Sequence, residues 1–221
     1  MPVVTISRET GSGGSFIALK LAEALGGTSV DKEIIHEIAQ KMGRDQEDLK
    51  DFDQDSYNRI SVFFQEALAG IAQGGHVFHP FGIGPLDWDG VNLFHPYPEQ
   101  DFNHQEYSDV LRQVILDLAK KNNVVILGRG GQVILRNQPD VLHLRLVAER
   151  PDRIKRLMEE QKLDEEKALA LLEQRDESAQ KFLADFFDVD WNDPHLYHLS
   201  LNTSLVPLSE ALPIILRTMG R

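Results

Sequence analysis

The apolar residues near the start of the chain change from a continuous run to a helical period, with a glycine-rich loop between them. Residues 3–6 form a β-branched run of the length of a buried strand. Across residues 17–25 the apolar side chains recur at helical spacing, and Gly26 and Gly27 provide a stop. This pattern predicts a strand, a loop and an amphipathic helix in that order.

The same two patterns continue along the rest of the chain. Helical spacing predicts helices over 32–42, 60–71, 107–118, 151–157 and 164–187, and one from about Ser209. A continuous apolar run predicts a strand at 124–128, and further strands are predicted at 28–31, 141–147 and 197–202. Pro213 favours a start of the last helix slightly after Ser209, because proline lacks an amide hydrogen. Strands that alternate with helices predict an α/β fold with a parallel sheet.

Residues 75–105 follow neither period. This histidine-rich segment contains four of the eight histidines and six aromatic residues, which favours an ordered but irregular insertion. It also holds residue types that bind Zn²⁺ or Mn²⁺, in a spacing that matches no recognised metal signature: His76, His79, Asp87, Asp89 and His95. The alternative is that its aromatic side chains cover an acceptor site or form a homodimer contact.

The charge balance and the missing cysteines exclude several classes of function. The 221 residues include 35 acidic and 23 basic side chains, a formal net charge of −12. This balance argues against nucleic acid or an anionic membrane as the partner. Cysteine is absent, which excludes disulfides and thiolate chemistry. Because the N-terminus enters the first strand directly and no apolar run reaches membrane-spanning length, we expect a cytoplasmic protein.

The glycine-rich loop, residues 8–15 (RETGSGGS), is the clearest chemical signal in the chain. A strand, such a loop and a helix N-terminus direct backbone amides at one spot, which favours a phosphate site. Against the pattern G-x-x-x-x-G-K-[ST], Gly13 and Ser15 are in place. Arg8 stands where the first glycine belongs, and Gly14 where the lysine belongs. A flexible turn is the alternative, but a turn does not need the flanking strand and helix.

Six separated segments share a further likeness: TISRETGSGGSFIA (5–18), VDKEII (30–35), VVILGRGGQVIL (124–135), LRLVAERPDRIKRL (144–157), QRDESAQKF (174–182) and DWNDPHLYHLSLNTS (190–204). In this order and spacing they resemble the cytidylate kinase-like family of P-loop nucleoside-monophosphate kinases. The resemblance implies one kinase domain over 1–221, with a P-loop NTPase α/β/α fold and a five-stranded parallel sheet. It also implies a helical acceptor-binding insertion at 31–120 and an arginine-bearing lid at 150–185.

The resemblance implies roles for individual residues. Backbone amides of the loop would bind the phosphates of ATP, and they belong to Gly11, Ser12, Gly13 and Gly14. The Ser15 hydroxyl would bind Mg²⁺. Arg129 matches the arginine that binds the acceptor phosphate. The remaining matches are the lid residues Arg153, Arg156, Arg175 and Asp176, and Asp31 on the acceptor side.

Some of these residues also have a plainer explanation. Arg153 and Arg156 fit a solvated helix face, because glutamates flank them at positions 149, 159 and 160. Arg175 and Asp176 fit surface charge on a long helix, and Asp31 fits a cap of the helix after it. Arg129 is harder to explain in this way, because it closes a buried strand between two glycines.

The chain departs from the cytidylate kinase pattern at several charged positions. Gly14 removes the lysine, and Arg8 is the candidate to reach the same phosphate oxygens, since a guanidinium binds phosphate well. Expected acidic or basic residues are replaced at four further positions: Leu127, Gly130, Ala179 and Phe182. The chain therefore has fewer charged residues for metal binding and in the lid than the family pattern implies.

Three functional hypotheses follow. The first is transfer of the γ-phosphoryl group of ATP, with Mg²⁺, to a nucleoside monophosphate (CMP by family likeness) or to another small phosphorylated acceptor. The second is a catalytically weak nucleotide-binding or sensing protein on a kinase fold. The third is a metal-dependent hydrolase that uses the histidine-rich segment.

Overall fold

The computed structural model describes residues 2–31 and 104–220. In chain order the elements are β1 (Val3–Arg8), α1 (Gly14–Leu25), β2 (Thr28–Val30), α2 (His104–Lys120), β3 (Val124–Leu127), α3 (Gly131–Ile134), β4 (Val141–Val147), α4 (Arg150–Gln161), α5 (Glu165–Phe187), a 3₁₀ turn (Pro194–Leu196), β5 (Leu199–Asn202) and α6 (Leu208–Thr218). The predicted helices over 32–42 and 60–71 and nearly all of the histidine-rich segment lie outside the described residues, as does most of the predicted insertion.

The five strands form one sheet in the order β2-β3-β1-β4-β5, and every pair in it is parallel. This confirms the predicted α/β fold with a five-stranded parallel sheet. From β1 the chain moves to one side of the sheet for β2 and β3, and to the other side for β4 and β5. In open α/β sheets, ligands generally bind at the carboxyl ends of the strands next to such a reversal, which here is the carboxyl end of β1. The glycine-rich loop begins at that end.

Helices cover both faces of the sheet. Val4 and Ile6 of β1 pack against α1 and α6 on one face, and Val3 points into the second core, which α2, α3 and the end of α5 complete. The alternation follows from the period of two in a strand. Both cores hold the central strand rigidly, so the loop after β1 starts from a fixed position. Of the helices described, none is both long and apolar enough to cross a bilayer.

Helices α4 and α5 pack on each other through a separate small core, which contains Leu157, Ala168 and Leu172. Asp164 caps the start of α5, since its carboxylate accepts the Lys167 amide at 2.9 Å. The pair covers nearly the same residues as the predicted lid, 150–185, and the division of the chain into lid and insertion stays a prediction.

At the C-terminal end of the chain, two bounds differ from the sequence expectations. The last helix begins at Leu208, so the expected start after Ser209 is wrong, and Pro213 lies inside the helix. Buried Ala211 and Ile215 flank the proline, and their packing outweighs the lost hydrogen bond. The last strand begins at Leu199 rather than 197, because the preceding residues leave the 3₁₀ turn.

Candidate functional site

The glycine-rich loop connects β1 to α1 at the carboxyl edge of the sheet. Gly11 and Gly13 have φ values of 78° and 82°, a left-handed conformation that favours glycine. Gly13 is the N-cap of α1 and offers no side-chain cap to the first turn. The first amides of this twelve-residue helix therefore keep their capacity to bind an anion.

Arg8 and Gly14 are in close contact across the loop. A Cβ added to Gly14 would lie 2.6 Å from Cγ of Arg8 and 2.9 Å from its Cβ. The stem of the arginine therefore occupies the space where the side chain of a lysine at position 14 would begin. The two departures from the phosphate-loop pattern are thus one structural unit.

The middle of the loop is closed by its own hydrogen bonds. The Ser12 amide and hydroxyl both donate to the Glu9 carbonyl, at 3.1 and 2.7 Å, and Ser12 is fully buried. The Thr203 hydroxyl donates to the Ser12 carbonyl at 2.9 Å. In this conformation the Ser12 amide is used inside the loop, and its role toward phosphate stays a prediction. Ser15 is exposed at the first turn of α1, and its role toward a metal stays a prediction.

The structure brings Arg153 and Asp176 together on the loop. Asp176 accepts the Thr10 amide at 2.8 Å and forms an ion pair with Arg153. The Arg153 Nε lies 3.6 Å from a carboxylate oxygen of Glu9, and only 11% of the arginine side chain is exposed. In the described part of the chain, Arg153 thus pairs with the loop and α5, not with the glutamates of its own helix.

Arg156 holds the neighbouring part of the loop. Its guanidinium donates to the hydroxyl and the carbonyl of Thr203, both at 2.8 Å, and to the Gly11 carbonyl at 3.3 Å. A Cβ on Gly11 would lie 2.6 Å from the Arg153 carbonyl oxygen. Helix α4 is therefore docked directly on the glycine-rich loop.

Arg129 follows β3 in a left-handed turn. Gly128, Arg129 and Gly130 have φ values of 80°, 53° and 71°, and this conformation costs about 1–2 kcal/mol for a residue other than glycine. The guanidinium carbon lies 5.2 Å from the centre of the Phe182 ring, and the Phe187 ring packs against Gly130. Two aromatic rings of α5 thus hold the turn, and one of them stands where the resemblance expects an arginine.

The remaining predicted site residues are Arg175, Asp31 and the ligands of a metal ion. Arg175 is half-buried on α5, next to Asp176, and Asp31 is half-buried directly after β2. Across residues 2–31 and 104–220, no three histidines or carboxylates cluster as a metal site would require. Magnesium that arrives with a nucleotide needs only one or two protein ligands, because phosphates and water supply the rest. The exposed Ser15 hydroxyl fits that arrangement.

Sequence reasoning missed a buried cluster behind the loop. Arg145 of β4 is 3% exposed, donates to the Ser7 hydroxyl at 3.2 Å and lies 3.9 Å from the centre of the Trp191 ring. Burial lowers the pKa of its guanidinium. The available signal was the period of two, which places Ser7 and Arg145 on the same face of neighbouring strands.

Comparisons with known proteins agree with this architecture. The family model described as "Cytidylate kinase-like family" matches residues 3–205. A cytidylate kinase of Methanocaldococcus jannaschii is 29% identical over 120 residues, which cover 52% of this chain and 65% of that protein. The crystal structure of an uncharacterized protein from Eubacterium ventriosum aligns over 100% of this chain and 99% of its own, with a TM-score of 0.66 and 18% identity. That last likeness concerns the fold alone.

Proposed function

The chain belongs to the cytidylate kinase-like family, and from this premise we propose that it transfers the γ-phosphoryl group of ATP to a small phosphorylated acceptor. A nucleoside monophosphate is the favoured acceptor, and CMP is favoured by family likeness. The observation that carries the proposal is the position of Arg8 over Gly14, beside the uncapped N-terminus of α1. A cation and a set of amides at the carboxyl end of the central strand suit a phosphate chain.

On the donor side, the amides of the loop and the first turn of α1 bind the β- and γ-phosphates. Arg8 takes the place of the lysine and stabilises the charge between those two groups, since its fork can bind two phosphate oxygens. The Ser15 hydroxyl would hold the magnesium ion that binds with the nucleotide, and this ion would neutralise further charge on the phosphates. These contacts act on charge that spreads over the transferred group during the reaction.

On the acceptor side, Arg129 binds the acceptor phosphate at the carboxyl end of β3, beside β1. An oxygen of that phosphate forms a bond to the γ-phosphorus, the bond from this phosphorus to the β–γ bridging oxygen breaks, and ADP leaves with the electron pair. The acceptor oxygen is already ionised near neutral pH, so this step needs no general base. The protein has only to align the two phosphates and exclude water.

A nucleotide-sensing protein is the second candidate, and a specific observation favours it. Arg153 and Arg156 donate to protein groups, namely Asp176, Thr203 and the Gly11 carbonyl, rather than standing open to a ligand. If these bonds persist with nucleotide bound, the two arginines hold α4 on the loop and add nothing to the transition state. Binding would then proceed with slow transfer or none.

The test is to incubate the protein with Mg²⁺ and γ-labelled ATP against nucleoside monophosphates and small phosphorylated metabolites, and to separate the products. We expect label on one acceptor, and a loss of transfer rate of about 10²–10³-fold in Arg8→Met and in Arg129→Met. Arg217→Met, which removes an exposed charge from α6, is the matched control. Label that stays on ATP, while ATP still raises the melting temperature, would support the sensing function instead.

A further inference from the structure

The groups in direct contact with the Arg145 guanidinium are neutral polar and aromatic side chains. The guanidinium donates to the Ser7 hydroxyl at 3.2 Å and the Asn192 side-chain carbonyl at 3.0 Å. The rings of Trp191 and Tyr197 lie 3.9 and 5.6 Å away. Among the described residues, the nearest carboxylates, those of Glu9 and Asp176, form their ion pairs with Arg153 and not with Arg145. A charged side chain is rarely buried without such a pair, so this one calls for an explanation.

The position of this charge relates it to the glycine-rich loop. Ser7, which accepts one of the arginine hydrogen bonds, directly precedes Arg8. The Trp191 indole nitrogen also donates to the Ser7 hydroxyl, at 2.8 Å, so the cluster is anchored to the carboxyl end of β1. Burial lowers the pKa of Arg145, while Tyr197, Glu9 and Asp176 act in the opposite direction. Those two carboxylates belong to the loop and to the helix that contacts it.

We propose that Arg145 is a specificity-determining residue whose buried positive charge makes the glycine-rich loop prefer ligands with more phosphate groups, triphosphates above diphosphates and monophosphates. The charge acts from the residue before the loop, because Arg145 is bound to Ser7, and only 3% of the arginine is exposed to water that would screen it. It complements Arg8, which acts from the ligand side, and together they replace the missing lysine. The inference rests on the nucleotide site of the proposed function.

To separate this role from a structural one, affinity has to be compared among ligands that differ in their number of phosphate groups. Dissociation constants of ATP, ADP, AMP and inorganic triphosphate are measured by calorimetry in EDTA, so that each phosphate carries its own charge. In Arg145→Met we expect a loss of affinity of about tenfold for ATP, a smaller loss for ADP and almost none for AMP. Arg217→Met, the same change at an exposed site, should leave the series as it is in the unaltered protein.

Arg145→Lys keeps the charge but loses the forked hydrogen bonds to Ser7 and Asn192. It should lower the melting temperature and preserve the preference for triphosphates, and it remains informative if Arg145→Met fails to fold. An equal loss of affinity for all four ligands in Arg145→Met would overturn the inference. So would the loss of the preference for triphosphates in Arg145→Lys. Binding without phosphoryl transfer would leave it standing while the proposed function fails. No binding of any ligand by the unaltered protein would overturn both.

Discussion

The stem of Arg8 lies against Gly14, so that a Cβ at residue 14 would be 2.6 Å from the arginine Cγ. The atoms in conflict belong to the base of the arginine side chain: a change of rotamer would move Cγ, but Cβ, at 2.9 Å, is fixed by the backbone. An arginine at position 8 and a side chain at position 14 are therefore mutually exclusive in this conformation. The two departures from the phosphate-loop pattern, arginine in place of glycine at position 8 and glycine in place of lysine at position 14, therefore form one coupled change.

Gly14→Lys should consequently destabilise the protein instead of restoring a standard phosphate loop. We expect a loss of about 1–3 kcal/mol in the free energy of unfolding, the usual cost of overpacking, and no gain in transfer rate. The double variant Arg8→Gly with Gly14→Lys should recover stability, because the lysine then has the space that the arginine held. Urea unfolding and the labelled-ATP assay measure the two effects.

Gly14→Ala is the control for the Cβ alone and should show most of the destabilisation. The double-mutant cycle should be strongly non-additive, as expected for residues in contact. Additive effects, with Gly14→Lys neutral by itself, would show that Arg8 and Gly14 are independent.

The sequence predicted the framework of the fold because burial imposes simple periods. Strand β4 was predicted at its observed bounds, 141–147, since five of its seven residues are apolar, as is common in a strand that is covered on both faces. Helix α5 was predicted within one residue, because an acidic first turn marks its start. The four-residue helix α3 was missed, since it is too short to show a period.

The site could be predicted only in part. The loop and Arg8 follow from a local pattern, which requires no knowledge of distant residues. The ion pair of Arg153 with Asp176 joins residues 23 positions apart, and the hydrogen bond that the Thr10 amide donates to Asp176 joins residues 166 positions apart. Such pairs depend on how α4 and α5 dock on the loop. The surroundings of Arg145 depend in the same way on the segment that contains Trp191.

Asp176→Asn tests whether the carboxylate on the Thr10 amide competes with phosphate. Asparagine keeps the acceptor oxygen but loses the charge that pairs with Arg153 and repels a phosphate chain. We expect the affinity for ATP to rise about three- to tenfold, and stability to fall by about 1–3 kcal/mol as the ion pair is lost. Calorimetric titration and urea unfolding give both numbers.

The matched control is Glu173→Gln, which removes an exposed carboxylate from the same helix, where it pairs with Arg150 at the surface. Surface pairs of this kind contribute little, so neither quantity should change much. A fall in ATP affinity in Asp176→Asn would contradict the expectation, and would support the substrate-binding role that the resemblance implies for this aspartate.

His143 should make stability depend on pH below neutrality. It is 3% exposed, and its Nδ1 lies 2.8 Å from the Thr5 hydroxyl oxygen. Burial lowers the pKa of His143 to about 4 from 6.5, with a further lowering by His198 and an opposing effect of the Leu135 carbonyl. Between pH 6.5 and about pH 4, His143 is protonated in the unfolded chain but stays neutral in the folded protein. Stability contributed by the neutral ring is thus complete above pH 6.5 and lost as the pH falls toward 4.

The loss should approach about 3 kcal/mol across that window, since each unit of pKa difference corresponds to about 1.4 kcal/mol. Urea unfolding at several pH values should show a shallower pH dependence in His143→Gln, whatever its absolute stability. His195→Gln, at an exposed position, should keep the original slope. Equal slopes in all three proteins would mean that His143 is protonated without penalty.

Phe182 should act on the acceptor through Arg129. Its ring lies 5.2 Å from the guanidinium carbon, a cation–π contact that restrains an arginine already held in a left-handed turn. In Phe182→Leu the core keeps an apolar side chain, but the Arg129 guanidinium loses its contact with an aromatic ring. We expect the KM for the acceptor to rise about three- to tenfold while the KM for ATP stays unchanged, because the donor contacts are made by the loop. Phe182→Tyr keeps a ring and should keep both KM values.

If Phe182→Leu raises both KM values together, the ring stabilises the core without orienting Arg129, and the acceptor phosphate is bound by other residues.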